Sequence, residues 1–269
     1  MNHVYIIKWS RSLFGSFDYG SSVRFDLDKV EFSNVIMSPG ETIHFWSSRI
    51  SQSDWQFAPT LPLLKVGQEY SFDLQMVDKP YASIHLLFQY FDGEDNEIGR
   101  DVFTEQRGQF ILPTDAQSYK VSLLNLNNQF VIFNRLIIKD TNMSVRVIRW
   151  RKLSGQMVQL DNVKYPQRLN SEVQTIPISL RYQKANVESY VSEKNSNAYF
   201  IEWKRSIKKS DQQVDEFADA TLKRIKRLTS ENRTTSKYSK YEFFCEQKLL
   251  TEIPDVVSIF HNHLLKLRG

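Results

Sequence analysis

Apolar and polar positions alternate with a period of two across residues 1–140, and this period is typical of β-strands. Residues 71–76 set each apolar side chain beside a polar one, which predicts a half-buried strand. Residues 83–91 place bulky apolar side chains on one face of a strand, and residues 121–126 form a mostly apolar segment suited to a sandwich interior. Residues 129–139 predict a long closing strand. Short strands of this kind predict a mainly β fold, a sandwich or jelly roll. The turns between them are marked by Ser38-Pro39-Gly40, Pro59, Pro62, Pro80, Asp92-Gly93 and Pro113.

The C-terminal part of the chain carries helical spacing in place of strand alternation. We predict one amphipathic helix from Asp211 and another after Pro254, since proline suits the first turn of a helix. A further helix is predicted around residues 241–250. Residues 161–197 lack a clear period and are predicted to be rich in loops, with a short strand near residues 175–182.

Charge divides the chain into the same two regions. Residues 1–140 hold 12 Lys and Arg against 17 Asp and Glu, a net charge of −5, whereas residues 141–269 hold 23 against 14, a net charge of +9. We therefore predict a β-sandwich over residues 1–140 and a basic extension with amphipathic helices over residues 141–269. The basic region is expected to dock a partner or to lie close to an anionic membrane surface. Nucleic acid is a less favoured partner, because no recognition motif accompanies the charge.

Cysteine content and hydropathy bear on the cellular compartment. Cys245 is the single cysteine, which excludes an intramolecular disulfide framework and fits a reducing compartment. The apolar run at residues 4–7 is too short for the core of a signal peptide. No stretch approaches the ~20 apolar residues that cross a bilayer. We expect a cytoplasmic protein that is at most peripheral to the membrane.

The sequence contains no recognisable catalytic or metal-binding motif. It lacks a phosphate-binding glycine loop, a paired-cysteine zinc pattern and a nucleophile-elbow serine. His261 and His263 are two residues apart, so their rings do not share one helix face. The acidic run from Asp92 to Glu97 lacks the spacing of a calcium loop and is better explained as a solvated hairpin tip. We therefore predict no catalytic residues, no metal and no cofactor, and hence no enzyme.

An aromatic cluster is the one candidate ligand site in the first region. Sugar sites combine flat aromatic faces with fixed polar groups, and both kinds of residue occur between positions 34 and 57. The simpler alternative is that these rings, which include Phe45 and Phe57, cap the sandwich core. The candidate ligand-binding residues are Trp46 and Trp55 as stacking platforms, with His44, Asn34 and Arg49 as polar contacts.

Several blocks of residues, in order, resemble a known protein family. The run from Phe32 to Ser48, FSNVIMSPGETIHFWSS, is similar to a signature of the smallest accessory secretory protein of the accessory Sec system. The resemblance covers about residues 1–140. At Asn127-Asn128 the family pattern has a glycine-containing turn, and asparagine tolerates the same left-handed geometry. The other matching blocks are Tyr19-Gly20-Ser21, Leu61-Pro62-Leu63-Leu64, Gly67 with Tyr70, Phe110 with Pro113, and Tyr119 with Leu123 and Asn125.

The resemblance implies a fold and a role. The fold is a sandwich like that of carbohydrate-binding modules. The role is that of a non-catalytic subunit in a cytoplasmic complex with two larger accessory secretory proteins, one glycosyltransferase-like and one acyltransferase-like. That complex serves the export of serine-rich-repeat glycoprotein adhesins, so the subunit is expected to bind the preprotein or to stabilise its acyltransferase-like partner. The alternative is a free-standing carbohydrate-binding module that recognises N-acetylglucosamine-type glycans.

Overall fold

The chain forms two compact units in a computed structural model. One unit combines residues 2–142 with residues 184–191, and the other combines residues 143–183 with residues 192–269. Trp55 and Phe57, from the predicted aromatic cluster, lie outside the described residues. The structure describes residues 2–9, 15–26, 29–49, 59–141, 145–152, 155–162, 174–182, 187–192, 198–203, 210–231 and 239–267.

Strands make up most of the described structure, and helices occur only near the C-terminal end. The mainly β fold predicted from the period-two pattern is confirmed, as is the presence of C-terminal helices. The elements are β1 (Asn2–Ile7), β2 (Ser22–Phe25), β3 (Val30–Ser33), β4 (Thr42–Ser47), β5 (Glu69–Lys79), β6 (Ile84–Phe91), β7 (Glu97–Phe103), β8 (Arg107–Ile111), β9 (Ser118–Asn125), β10 (Phe130–Asp140), β11 (Val145–Lys152), β12 (Gly155–Asn162), β13 (Gln174–Tyr182), β14 (Val187–Ser192), β15 (Ala198–Trp203), α1 (Asp211–Glu231), β16 (Ser239–Cys245), α2 (Gln247–Glu252) and α3 (Pro254–Leu267).

The first unit is a sandwich of a seven-stranded and a four-stranded sheet. Strand β10 is the centre of the larger sheet, because β5 pairs with one of its edges while β3 and β1 share the other. The smaller sheet has the order β4-β9-β6-β7. Alternation along β5 buries every second side chain, from Tyr70 to Met76, and leaves the residues between them partly exposed. Each sheet therefore turns one apolar face toward the other.

Aromatic rings from both sheets meet in the core between them. Phe72 of β5 lies 5.5 Å from Phe88 of β6, and Phe88 lies 4.4 Å from Phe110 of β8, measured between ring centroids. Gly108 is part of this packing, since a Cβ at that position would come within 2.7 Å of the Phe72 ring. Burial of such a ring contributes about 1.5–3 kcal/mol. These ring contacts hold the two sheets together.

A strand that is distant in sequence completes the larger sheet. Strand β14 pairs beside β1, although more than a hundred residues separate the two along the chain. Its Glu188 is fully buried and forms an ion pair with Lys8, the residue after β1, and the Tyr190 hydroxyl donates to the same carboxylate at 2.7 Å. A buried carboxylate without such partners would be strongly destabilising. The first unit therefore includes residues that the sequence assigned to the basic extension.

The second unit contains a five-stranded mixed sheet with helices packed against it. The strand order is β11-β12-β15-β13-β16, and β13 runs parallel to both of its neighbours. The rings of Trp203 on β15, Phe217 on α1 and Phe260 on α3 lie within 6.5 Å of one another. His263 of α3 hydrogen-bonds to Asp215 of α1 at 2.7 Å. Helix α1 begins at Asp211 and α3 at Pro254, as predicted.

Strand β13 agrees with the short strand predicted near residues 175–182, and β14 and the end of β12 also lie within the range 161–197. The helix predicted around residues 241–250 is found only in α2, because residues 241–245 belong to strand β16. All six residues of β15 are buried, so the strand lacks an alternating pattern. Its Glu202 carboxylate accepts from the Arg181 guanidinium at 2.7 Å and also from Gln156, which satisfies a charge placed in the interior. Among the described helices, none is both long and apolar enough to cross a membrane.

Candidate protein interaction site

Trp46, the central residue of the predicted sugar site, lies in the sandwich core. Its side chain is 1% exposed, and its ring packs 5.2 Å from Phe133 of β10. The indole Nε1 donates to the Lys8 carbonyl at 2.9 Å, which satisfies its polar atom internally. A ring covered in this way offers no face for stacking on a sugar. Its burial supports the alternative in which these aromatic residues build the core.

His44 is buried beside Trp46 and is held as a neutral ring. It stacks on Trp9 at 4.3 Å, and its Nδ1 is hydrogen-bonded to the Ser16 hydroxyl at 2.8 Å. Trp9 Nε1 in turn donates to the Ser16 oxygen at 2.9 Å. Burial lowers the pKa of His44 to about 3, although a hydrogen bond to the Gly15 backbone opposes the shift. A serine beside a histidine suggests nucleophilic chemistry, but so weak a base does not activate a hydroxyl at neutral pH.

The remaining predicted ligand residues are not gathered into one pocket. Asn34 is 3% exposed and is used in hydrogen bonds between loops. Arg49 is exposed and forms an ion pair with Asp95 at the β6–β7 hairpin. Since Trp46 and His44 are core residues and Trp55 lies outside the described residues, sugar binding through this set stays a prediction without geometric support.

The acidic run in the β6–β7 hairpin is organised around its own backbone. Asp92 accepts hydrogen bonds from the backbone amides of Glu94 and Asn96, both at 2.9 Å. A hydrogen bond from the Asn96 side chain, together with these two backbone bonds, lowers the pKa of Asp92. The left-handed turn residue is Asp95, at φ 67°, rather than the predicted Gly93. Across the described residues, no three His, Cys, Asp or Glu side chains cluster as metal ligands would.

Exposed apolar side chains occur on each of the loops at one end of the sandwich. Because neighbouring strands alternate in direction, the loops β1–β2, β3–β4, β5–β6 and β9–β10 all lie at the same end. Each of these loops carries at least one apolar side chain in solvent. We call this set the apical patch: Tyr19 (74% exposed), Val35 (82%), Ile36 (62%), Tyr81 (89%) and Leu126 (37%).

Three buried asparagines tie the four loops together. The Asn34 amide donates to the Tyr19 carbonyl at 2.8 Å and to Ser21 at 2.9 Å, and its oxygen accepts from the Ile36 amide. The Asn125 amide donates to two carbonyls of the β3–β4 loop, at 2.9 and 3.0 Å. Asn128 donates to the Ser83 hydroxyl at 2.7 Å in the β5–β6 loop. The apical patch therefore rests on a continuous hydrogen-bonded scaffold.

The backbone conformation of these loops also leaves room for the side chains of the apical patch. Gly20 has φ +66°, and a Cβ there would come within 2.7 Å of Ile36 Cδ1. Glycine meets both requirements, because it adopts positive φ freely and leaves room for the isoleucine. Asn127 has φ 96°, in agreement with the left-handed turn expected at Asn127-Asn128. The Ile36 side chain thus lies against Gly20 on its inner side, while its outer surface is exposed to solvent.

An ordered apolar surface of this kind is suited to binding a protein. Contiguous exposed apolar groups on a soluble protein often mark an interaction site. A preformed surface also loses little conformational entropy on binding. The sequence prediction of a ligand site rested on tryptophans rather than on loop positions, and the apical patch was not predicted. The available signal was Val35-Ile36, two adjacent apolar residues inside a polar turn, where no strand or helix period assigns them to the core.

Comparison with known proteins identifies the family. The family described as "Accessory Sec secretory system ASP3" matches residues 16–140. An accessory Sec system protein of that name from Streptococcus gordonii is 36% identical over 123 residues, which is 45% of this chain and 77% of the relative. The chain belongs to this accessory Sec family. The resemblance seen in the sequence is confirmed, and the matched residues include the whole apical patch.

Two further similarities define the extent of the match. The accessory Sec relative from Staphylococcus aureus (strain NCTC 8325 / PS 47) is 26% identical over 139 residues, so the match spans 52% of this chain and 44% of that relative. The solved structure of accessory secretory proteins 1, 2 and 3 from Streptococcus pneumoniae contains a chain that is 28% identical. That alignment covers 50% of this chain and 94% of the other, with a TM-score of 0.48.

Proposed function

We propose that this chain is a non-catalytic docking subunit of an accessory Sec export complex and that the apical patch binds one of two larger accessory secretory proteins. Family membership supports the system in which the chain acts. The observation that carries the docking role is the apical patch, five apolar side chains held in solvent on four cross-bonded loops. We place the complex in the cytoplasm, on the side from which the export substrate is delivered.

The partner suited to the patch is a folded protein with a complementary apolar surface. Two tyrosines and three aliphatic side chains make up the patch, and tyrosine is enriched where interfaces gain most of their binding energy. None of the five side chains carries a charge, so burial on docking leaves no ion without a partner. Docking is therefore expected to shield the patch and to stabilise the partner subunit.

A second part of the proposal is contact with the export substrate. The substrate implied by the family is a serine-rich-repeat adhesin preprotein, bound before or during translocation. The buried placement of His44 and Trp46 argues for a binding mode other than sugar stacking on the predicted aromatic set. The subunit would then hold a polypeptide while its larger partners act on it.

The docking role is tested by co-expression of the tagged full-length chain with the two larger accessory secretory proteins of its own organism. Val35→Ser and Ile36→Ser are combined in one variant, and retention of each partner is quantified after affinity isolation. We expect retention of one partner to fall about tenfold or more, which corresponds to ~1.4 kcal/mol of binding free energy.

The matched control makes the same kind of change at the opposite end of the sandwich. Leu63 is 80% exposed and Val66 is 41% exposed in the loop between β4 and β5. A variant with Leu63→Ser and Val66→Ser is expected to retain both partners. Loss of partner in this control, with full retention in the Val35 and Ile36 variant, would move the docking site to the other end and contradict the proposal.

A further inference from the structure

Among the described strands, none pairs with one edge of β5 over about half of its length. Strand β8 pairs with this edge only from Glu69 to Asp73, opposite Ile111 to Arg107. The backbone amide of Leu74 still donates to the Gln106 carbonyl at 2.7 Å. Beyond Leu74, no described strand pairs with this side of β5, although β10 pairs with the other side as far as Lys79.

The unpaired edge presents backbone groups at fixed spacing. In an antiparallel strand, alternate residues direct their N–H and C=O to the same side. Because the backbone N–H of Leu74 points toward β8, the backbone N–H and C=O groups of Met76 and Asp78 point to that side too. The Met76 carbonyl has a long hydrogen bond from the Gln106 amide at 3.4 Å, which a better-placed donor can replace. An unpaired row of this kind is a template for an added strand.

A groove crosses β5 where the open edge begins, from residues 105–107 on one side to Asn134 of β10 on the other. It has a volume of about 470 Å³ and is lined by residues 73–76, residues 105–107 and Asn134. Asn134 reaches it from a bulge in β10, where the pairing register shifts between Phe133 and Arg135. Bulges redirect a side chain out of the regular alternation of a strand. The sequence pattern of β10 gave no indication of this position.

The groove is lined with hydrogen-bonding groups that suit small polar side chains. Asp73 is bound by the Arg107 guanidinium at 3.1 Å, and the Gln75 oxygen accepts from Arg135 at 2.6 Å. The side chains of Gln75, Glu105, Gln106 and Asn134 line the groove together with this ion pair, and Leu74 and Met76 complete it. Hydroxyl and amide side chains can both donate to and accept from such a lining, whereas bulky apolar side chains leave it unsatisfied.

Strand β7, in the same unit, is an edge strand that is protected against the addition of a further strand. It is the last strand of the smaller sheet and carries Glu97, Arg100 and Asp101 along its length. Charged side chains on an edge strand discourage pairing with a further chain. The open part of β5 instead has its charged residues only at Asp78, which is buried, and at its last residue, Lys79, and it includes the exposed Val77. Of these two edges, β5 is the one open to an added strand.

We infer that the edge of β5 from Leu74 to Lys79, with the adjoining groove, binds an extended polypeptide segment that carries small hydroxyl or amide side chains. The segment adds a strand to the larger sheet, so affinity comes from its backbone and selectivity from the groove. At ~3.3 Å per residue, this edge accommodates about five or six residues. The inference deepens the proposed contact with the export substrate, but it concerns the chain alone and does not depend on partner docking.

The test uses the full chain and a labelled synthetic peptide of about 12 residues in which Thr and Ser alternate, chosen for strand propensity and hydroxyl content. Binding is followed by fluorescence anisotropy and by hydrogen exchange at residues 74–79. A second peptide has the same sequence but is N-methylated at every other amide, which removes the donors on one edge. We expect exchange at the Met76 and Asp78 amides to slow about fivefold or more, and the methylated peptide to bind about tenfold more weakly.

Two variants locate the site. Asn134→Tyr fills the groove and is expected to weaken binding about tenfold, whereas Gln109→Tyr, on the part of β8 that already pairs with β5, changes it less than about twofold. Thermal unfolding checks that both variants are folded. Equal binding of the methylated peptide, protection confined to β7, or no binding of the unmodified peptide at millimolar concentration would each overturn the inference. Loss of peptide binding with intact partner retention separates this site from the docking role.

Discussion

Two stretches of the run from Phe32 to Ser48 show opposite behaviour although fewer than ten residues separate them. Strand β4 carries His44 and Trp46, whose polar atoms and ring faces are enclosed by the core. The preceding loop carries Val35 and Ile36, which are more than 60% exposed. The polar-aromatic strand is structural, and the aliphatic loop is the surface feature. In this protein, residue chemistry alone is a poor guide to which side chains meet a partner.

The physical reason lies in how each stretch satisfies its hydrogen bonds. Strand β4 pairs with β9 on one side and with the Gly15–Phe17 segment on the other, so its backbone is hydrogen-bonded along both edges. In the loop at Val35 and Ile36, the Asn34 side-chain oxygen accepts a hydrogen bond from the Ile36 amide. A loop anchored at its base can keep apolar side chains in water without collapsing onto the core. Four predictions for the free energy of unfolding examine this contrast, from the largest expected effect to the smallest.

Trp46→Ala is expected to destabilise the first unit by about 3–5 kcal/mol, because it leaves a large cavity and removes the hydrogen bond to Lys8. Denaturant unfolding of the full chain measures the loss. Tyr19→Ala, at an exposed aromatic residue of the apical patch, is the matched control and should change stability by less than about 0.5 kcal/mol. Similar values for the two variants would contradict the division between core and surface.

Asn34→Ala is expected to cost about 1–3 kcal/mol, because it leaves the Tyr19 carbonyl and the Ile36 amide without their partner. Hydrogen exchange should also accelerate in the β3–β4 loop, since the support of Ile36 is removed. Asn134→Ala, at an exposed asparagine, serves as the control for unfolding. If Asn34→Ala left both stability and loop exchange unchanged, the scaffold under the apical patch would be disproved.

His44 predicts a pH dependence with a definite sign. Its pKa falls from 6.5 to about 3 on folding, so the unfolded chain binds a proton below pH 6.5 that the folded chain does not accept. Stability should therefore fall as pH drops from 6.5 toward 3, by about 1.4 kcal/mol per pH unit over most of that window. Denaturant unfolding between pH 7 and pH 4.5 compares the wild type with His44→Gln. Parallel curves would contradict a buried neutral histidine.

Val35→Ser and Ile36→Ser are each expected to change unfolding free energy by less than about 0.5 kcal/mol, because these side chains are already in solvent. The same pair of changes is expected to impair partner retention, which gives a binding effect without a stability effect. Calorimetry of the isolated double variant measures the first quantity. A loss of several kcal/mol would mean that the loop belongs to the core after all.

The role of β14 changes how the two regions of the chain should be separated experimentally. A truncation after residue 140 removes Glu188, the buried partner of Lys8 at the end of β1. Such a truncation tests the integrity of the larger sheet as well as the function of the C-terminal region. Loss of partner binding in the truncated chain would therefore not assign the partner to the second unit.

The predictable parts of the fold were those with a local signal. Period-two alternation located β5 and β10, and Asp211 and Pro254 located the starts of α1 and α3. Strand β15 was missed because both of its faces are buried and its sequence does not alternate. Of the candidate ligand residues, the sequence identified the aromatic types correctly but could not say that Trp46 faces inward. The register shift within β4 decides that, and it depends on pairing with β9.

The sequence by itself determined the mainly β character of the first region, the helices near the C-terminus and the accessory Sec family, because periodicity, helix-start signals and ordered motifs are local properties of the chain. The tertiary structure alone decided which apolar residues became surface. Strand directions bring four loops to one end, and asparagine side chains bond them together there. It also decided that β14 joins β1 and that β5 keeps an open edge, because strand pairing is set by contacts between residues far apart in sequence.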